Sequence, residues 1–138
     1  MTVYLDTSVV LRVLLRQPNP ISCWGQWQKA YASRLWRTEA LRVVDRLRLA
    51  GEIDDLEVVR LRTAIGRVDQ TLYVVALTDA ILVRAEEPFP TVVGTLDSLH
   101  LATALALCRR NPIDRFLTHD LQLGRAAQAL GFAVEGID

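Results

Sequence analysis

Short apolar runs alternate with helical segments along nearly the whole chain, and that alternation leaves few folds open. Thr2 to Leu5 is β-rich; Asp6-Thr7-Ser8 then turns the chain into an apolar helical run, Val9 to Leu15, with Thr7 or Ser8 as its cap and Asp6 at the carboxyl end of the strand. Pro18-Asn19-Pro20 stops that helix. Residues 22–31 read as helical and carry Trp24 and Trp27. A short strand is expected from Ser33 to Trp36, feeding a helix from Thr38 to Ala50 that Gly51 stops. Thr38 would cap it and place Glu39 in its first turn. Asp54-Asp55 opens another helix, through Val68, with Leu56, Val59, Leu61 and Ile65 as core positions. Leu72 to Leu77 predicts a buried strand, and Thr78 caps a helix from Asp79 to Glu86 that ends before Pro88 and Pro90. Leu96 to Arg109 is the clearest helix, apolar on most sides and so expected to be largely enclosed. Arg115 to Thr118, Leu121 to Leu130 and Phe132 to Glu135 complete the pattern as strand, helix and strand. Strands separated by helices imply an α/β fold with a mostly parallel sheet covered on both faces. Ligands of such sheets bind beyond the carboxyl ends of the strands.

At 138 residues the chain fits one domain, 1–138, with a single sizeable core. A hydrophobic fraction of 51% excludes a disordered chain. No uncharged apolar stretch approaches the roughly 18 residues of a membrane span. The amino-terminal residues lack the pattern of a signal peptide. Cys23 and Cys108 fit neither a CxxC motif nor a disulfide framework, so a cytoplasmic protein with reduced thiols is expected. The 16 basic and 16 acidic residues cancel, and net charge gives no nucleic-acid signal. Lys29 is the only lysine among the bases. Arginine suits bidentate phosphate contact and surface ion pairing alike, so this bias leaves both open.

Four acids fall where apolar segments end or helices begin: Asp6, Glu39, Asp97 and Asp120. Each alone is compatible with a turn or helix-cap role. Asp97 is the hardest to assign so, because it opens a nearly all-apolar helix. A carboxylate at the edge of a core is costly unless compensated, and two of them about 4 Å apart repel by roughly 4 kcal/mol at an effective dielectric of 20. If the fold gathers the four, the natural compensator is a hard, oxygen-seeking divalent cation such as Mg²⁺. Ser8 and Thr118, each two residues from an acid, can orient a carboxylate or a metal-bound water, or serve as ordinary strand-end and helix-end hydrogen bonders. His100 lies one helical turn beyond Asp97, with no second His or Cys at ligand spacing, and is read as structural. His119 beside Asp120 is open between substrate contact and simple exposure.

The segments YLDTSVVL, SRLWRTE, TLDSLHLATAL and FLTHDLQLGRAAQALGF, in that order and covering Val3 to about Val134, resemble successive motifs of the PIN-domain ribonucleases, and most closely the VapC toxins of VapBC toxin–antitoxin pairs. The resemblance implies a three-layer α/β/α fold with Asp6, Glu39, Asp97 and Asp120 around Mg²⁺ or Mn²⁺, and Ser8 and Thr118 as hydroxyls beside it. On that basis Asp6, Asp97 and Asp120 would hold the principal ion, and Glu39 would complete the shell or help deprotonate the attacking water. LQLG after Asp120 lacks the further acid that some relatives carry, which puts a full second metal site in doubt. RNA must reach an acidic site, so arginines should rim it: Arg12, Arg34, Arg37 and Arg42, each of which can instead pair with an acid. The likeness further implies a VapB-like antitoxin and a homodimer. Trp24, Trp27 and Trp36 are candidates to line the antitoxin groove, with core packing as the other role for Trp36.

Three other readings compare with this one. A phosphotransfer enzyme of the haloacid-dehalogenase type needs a second Asp two residues after the first, where this chain has Ser8. A receiver domain needs an acidic pair and a late Lys, both missing. A PIN-like binding module that engages antitoxin or nucleic acid without catalysis is the non-enzymatic alternative.

Overall fold

The computed structural model describes all of residues 1–138. In chain order its elements are β1 (Thr2–Leu5), α1 (Thr7–Leu14), β2 (Lys29–Ser33), α2 (Leu35–Leu49), α3 (Asp55–Thr71), β3 (Tyr73–Val75), α4 (Asp79–Glu86), α5 (Thr95–Cys108), β4 (Arg115–Leu117), α6 (Leu121–Ala129) and β5 (Val134–Glu135). The strands form one sheet in the order β3-β2-β1-β4-β5, and every pairing is parallel.

Strand alternation sorts the core into two layers. Val3 and Leu5 of β1, Ala30 and Ala32 of β2 and Leu117 of β4 face α1, α2 and α3, where Val9, Trp36, Ala40, Val44, Leu61 and Ile65 are buried. Tyr4, Tyr31 and Phe116 point the other way, onto Leu101 and Ala104 of α5 and Leu123, Ala126 and Ala127 of α6. The result is the three-layer α/β/α arrangement. Each fully buried Leu, Ile or Phe contributes roughly 1.5–3 kcal/mol.

The connections run outward from β1 through β2 to β3, then cross back to place β4 on the other side of β1. The order therefore reverses between β1 and β4, and a crevice opens at their carboxyl ends. Asp6 follows β1 and Asp120 follows β4, so both flank it.

Several expectations need correction. The second strand is Lys29–Ser33, not Ser33–Trp36, and residues 22–31 form turns leading into it rather than a helix. Parallel pairing with β1 fixes that register, and Trp36 goes to the opening turn of α2, where it is fully buried. Because α2 begins at Leu35, Glu39 lies in its second turn, and Thr38 is not the cap. Asp6 itself caps α1. Leu56 and Val59 stand exposed on α3, whose core stripe is Leu61 and Ile65. β3 is a three-residue edge strand with Tyr73 half exposed, not a buried one. Only the middle of α5, Ser98 to Ala104, is enclosed, and its first residues Thr95 and Leu96 are exposed. The caps Asp54 and Thr78 and the positive-φ Gly51 stand where the sequence puts them.

Candidate active site

Asp6 sits at the switch point because its backbone N–H still bonds to Leu117 O at 3.0 Å, extending the β1–β4 ladder by one step. Its carboxylate is nearly buried and is held on one oxygen. Oδ2 accepts from Ser8 Oγ at 2.5 Å, from Thr118 Oγ1 at 2.9 Å and from Ser8 N at 3.4 Å. Ser8 Oγ in turn accepts from the His119 backbone N–H at 2.9 Å, and Thr118 Oγ1 from that of Asp120 at 3.0 Å. The two hydroxyls expected beside the site thus tie the end of β1 to the end of β4.

Asp120 caps α6, its Oδ1 accepting from Leu123 N at 3.0 Å. Glu39 reaches in from α2, and its Oε1 accepts from Thr7 Oγ1 at 2.8 Å. Asp97 lies in the first turn of α5. Burial pushes its carboxyl up to about 6, and the negative charges of Asp120, Asp6 and Glu39 push in the same direction, against the influence of His100. Four acids spread over the whole chain therefore act on one another at a single sheet edge.

His100, one turn beyond Asp97, is wholly buried. Its Nε2 lies 2.6 Å from Glu39 Oε1 and 3.5 Å from Asp6 Oδ1, and its Nδ1 is 2.9 Å from the buried Tyr4 hydroxyl. Burial pulls the imidazole pKa down, but the Glu39 hydrogen bond and the charges of Asp6, Glu39 and Asp97 outweigh it, leaving the net shift upward. Tyr4 was not singled out from the sequence. A lone hydroxyl-bearing aromatic in the inward-facing register of an aliphatic strand was the available signal. His119 is half-buried, with Nδ1 donating to Gly136 O at 2.8 Å.

No three His, Cys, Asp or Glu groups converge into a ready-made cage of direct ligands. Yet burial and the charges of the other three acids raise the cost of ionising Asp97, and a cation among them relieves it. An all-oxygen set of this kind suits Mg²⁺ or Mn²⁺, which bind through a few carboxylates and retain water.

The four arginines expected at the rim divide. Arg37 pairs with Asp69 at 3.0 Å and Arg42 with Asp45 at 3.1 Å. Arg12, in the last turn of α1, donates its Nη1 to Asn19 O. Arg34, exposed, follows β2 at the carboxyl edge of the sheet. Trp24 and Trp27 pack edge to face, centroids 5.3 Å apart, and with Val68 and Leu72 line a cavity of about 390 Å³. Trp36 is core.

A family model for the PIN domain matches residues 3–128. The chain belongs to the PIN-domain family. Among curated relatives of this PIN domain, Ribonuclease VapC47 of Mycobacterium tuberculosis (strain CDC 1551 / Oshkosh) is 29% identical over 137 residues, covering 94% of this chain and 93% of the relative. Two solved structures share the fold. VapBC2 from Rickettsia felis, bound to a DNA fragment from its promoter, superposes with TM-score 0.67 at 12% identity, with 98% of each chain covered. Mycobacterium tuberculosis VapC20, a sarcin-ricin-loop-cleaving toxin, gives 0.64 at 17% identity, with 95% of this chain and 96% of that one covered. No helix of this PIN domain is long and apolar enough to cross a membrane.

Proposed function

We propose that this PIN domain is a Mg²⁺- or Mn²⁺-dependent endoribonuclease, the toxin of a type II toxin–antitoxin pair, working in the cytoplasm. The observation that supports it most is the upward push on the Asp97 carboxyl, which burial begins and the other three acids reinforce. Similarity to VapC47 along almost the whole chain supports the same chemistry. When bound, the cation neutralises charge at the phosphate and makes water a better nucleophile at neutral pH.

Asp6, Asp97 and Asp120 are the residues that would hold it. Ser8 and Thr118 engage Oδ2 of Asp6, fixing that carboxylate. Glu39 Oε1 is taken by Thr7 and His100, so Oε2 is the atom left to accept a proton from the attacking water. Arg34, exposed at the same edge and in no ion pair, is the best placed of the four arginines to meet RNA phosphate; Arg37 and Arg42 are engaged with Asp69 and Asp45. A VapB-like antitoxin and a homodimer complete the reading, by likeness to relatives whose solved structures are VapBC complexes.

The test is cleavage of RNA with and without divalent cation. Cleavage should require Mg²⁺ or Mn²⁺ and disappear in folded Asp6→Asn and Asp97→Asn proteins. Divalent-dependent cleavage retained in both variants refutes the assignment.

A further inference from the structure

Tyr4, on the sheet face that meets α5 and α6, and His100, on α5 itself, are fully buried polar side chains, yet neither belongs to the acid set. Buried polar groups are kept where something satisfies them, and here they satisfy each other: hydroxyl and Nδ1 are 2.9 Å apart, with the rings edge to face at 76°. That contact orients the imidazole so that Nε2 emerges on its other side, at 2.6 Å from Glu39 Oε1 and 3.5 Å from Asp6 Oδ1. Glu39 comes from α2 and His100 from α5, elements that lie on opposite faces of the sheet. The hydrogen bond therefore joins the two helical layers across the carboxyl end of β1. Thr7 Oγ1 is the one other donor to Glu39, also on Oε1. Without the imidazole, a long and flexible carboxylate side chain would be held by a single hydroxyl beside the like charge of Asp6, and repulsion would favour rotamers that turn it away.

We propose that Tyr4 and His100 form a positioning unit that holds Glu39 against Asp6, so that the acid site is already assembled when a divalent cation arrives. The inference rests on the metal-dependent reading above and adds to it two residues that touch neither cation nor substrate. His100 is one contact away from Asp6, a residue that would hold the cation, as well as from Glu39, and partners of this kind typically change metal affinity or activity about 10–100-fold when lost. A purely structural Tyr–His contact would instead change stability and leave the cation affinity of the folded protein alone.

Calorimetric titration of the full chain with Mn²⁺ separates the two. Tyr4→Phe keeps the ring and removes the hydroxyl; His100→Leu removes both nitrogens; His100→Gln returns one N–H donor near the place of Nε2. With folding checked by circular dichroism, Tyr4→Phe and His100→Leu should each bind Mn²⁺ about 10-fold or more weakly, and His100→Gln should recover part of the loss. Wild-type affinity in folded His100→Leu overturns the inference, as does wild-type affinity in Tyr4→Phe where the leucine variant does not fold. No Mn²⁺ binding by the unaltered protein would overturn the metal reading and this inference together. That result is distinct from normal binding that the variants leave unchanged.

Discussion

Trp36 Nε1 donates to Asp69 Oδ1 at 3.0 Å, joining the opening turn of α2 to the last turn of α3. The second oxygen of Asp69 takes Arg37 Nη1 at 3.0 Å, so one carboxylate holds two consecutive residues of the helix that carries Glu39. Asp69→Ala leaves the indole N–H of a fully buried tryptophan without a partner. It should cost about 1–3 kcal/mol in a denaturant titration. Divalent affinity of the folded protein should stay near wild type, because Glu39 is gripped from its other side by Thr7 and His100. A collapse of cation affinity with stability intact would show that the α2–α3 contact sets the site directly.

Thr118 reaches further into the chemistry. It is fully buried; its Oγ1 donates to Asp6 Oδ2 and accepts from Asp120 N, so one hydroxyl couples two of the acids. Thr118→Val keeps the shape and removes both bonds. Stability should fall by about 1–3 kcal/mol and divalent affinity by about 10-fold or more, whereas Thr118→Ser should restore most of each. Equal affinities for the valine and serine variants would mean that shape alone matters at this position.

The carboxyl end of β4 is also fixed from behind. Gly136 has φ +108°, and a Cβ there would lie 2.4 Å from Thr118 O. Gly136→Ala must therefore strain the backbone and displace the strand end that carries Thr118. Gly66, inside α3, has nothing near the position a Cβ would take. Melting curves should show Gly136→Ala destabilised by about 1 kcal/mol or more and Gly66→Ala stabilised by roughly 0.5–1 kcal/mol. A neutral Gly136→Ala would mean the carboxyl-terminal segment yields without moving β4.

What could be read from the sequence follows from how local each signal is. Periodicity and punctuation located β1, α3, α5, β4 and α6 closely, since caps such as Asp54 and Thr78 act within a turn. The positions of β2 and Trp36 depend on pairing with β1, a long-range contact that no local pattern contains. The exposure of Leu56, Val59 and Tyr73 is likewise set by how far the layers extend over the sheet edge. The acids were legible because an apolar context makes a carboxylate conspicuous. The contact of His100 with Glu39 was not, because it spans 61 positions and two helical layers.

The acid site makes stability depend on pH in a direction unusual for a protein rich in carboxylates. The folded-state pKa of Asp97 is pushed up to about 6, so the native protein holds that proton more tightly than the unfolded chain does. Its stabilising contribution is present at low pH and is lost as pH rises from about 4 to about 6. His100 is also shifted up. Its contribution is full below about 6.5 and disappears as pH rises through its folded-state pKa. The two slopes have the same sign. Asp45 and Glu57, held low by Arg48 and Arg60, act oppositely but only below about pH 4 to 5, as they become protonated. In chelator the melting temperature should therefore decline between about pH 5 and 7.5. A divalent cation requires ionised ligands, so the melting temperature it adds should grow over the same range. Asp97→Asn should flatten the lower part of the chelator curve and shrink the cation's effect at pH 7.5. A chelator curve that rises from pH 5 to 7.5 in the unaltered protein would mean that Asp97 and His100 do not hold their protons more tightly in the folded state.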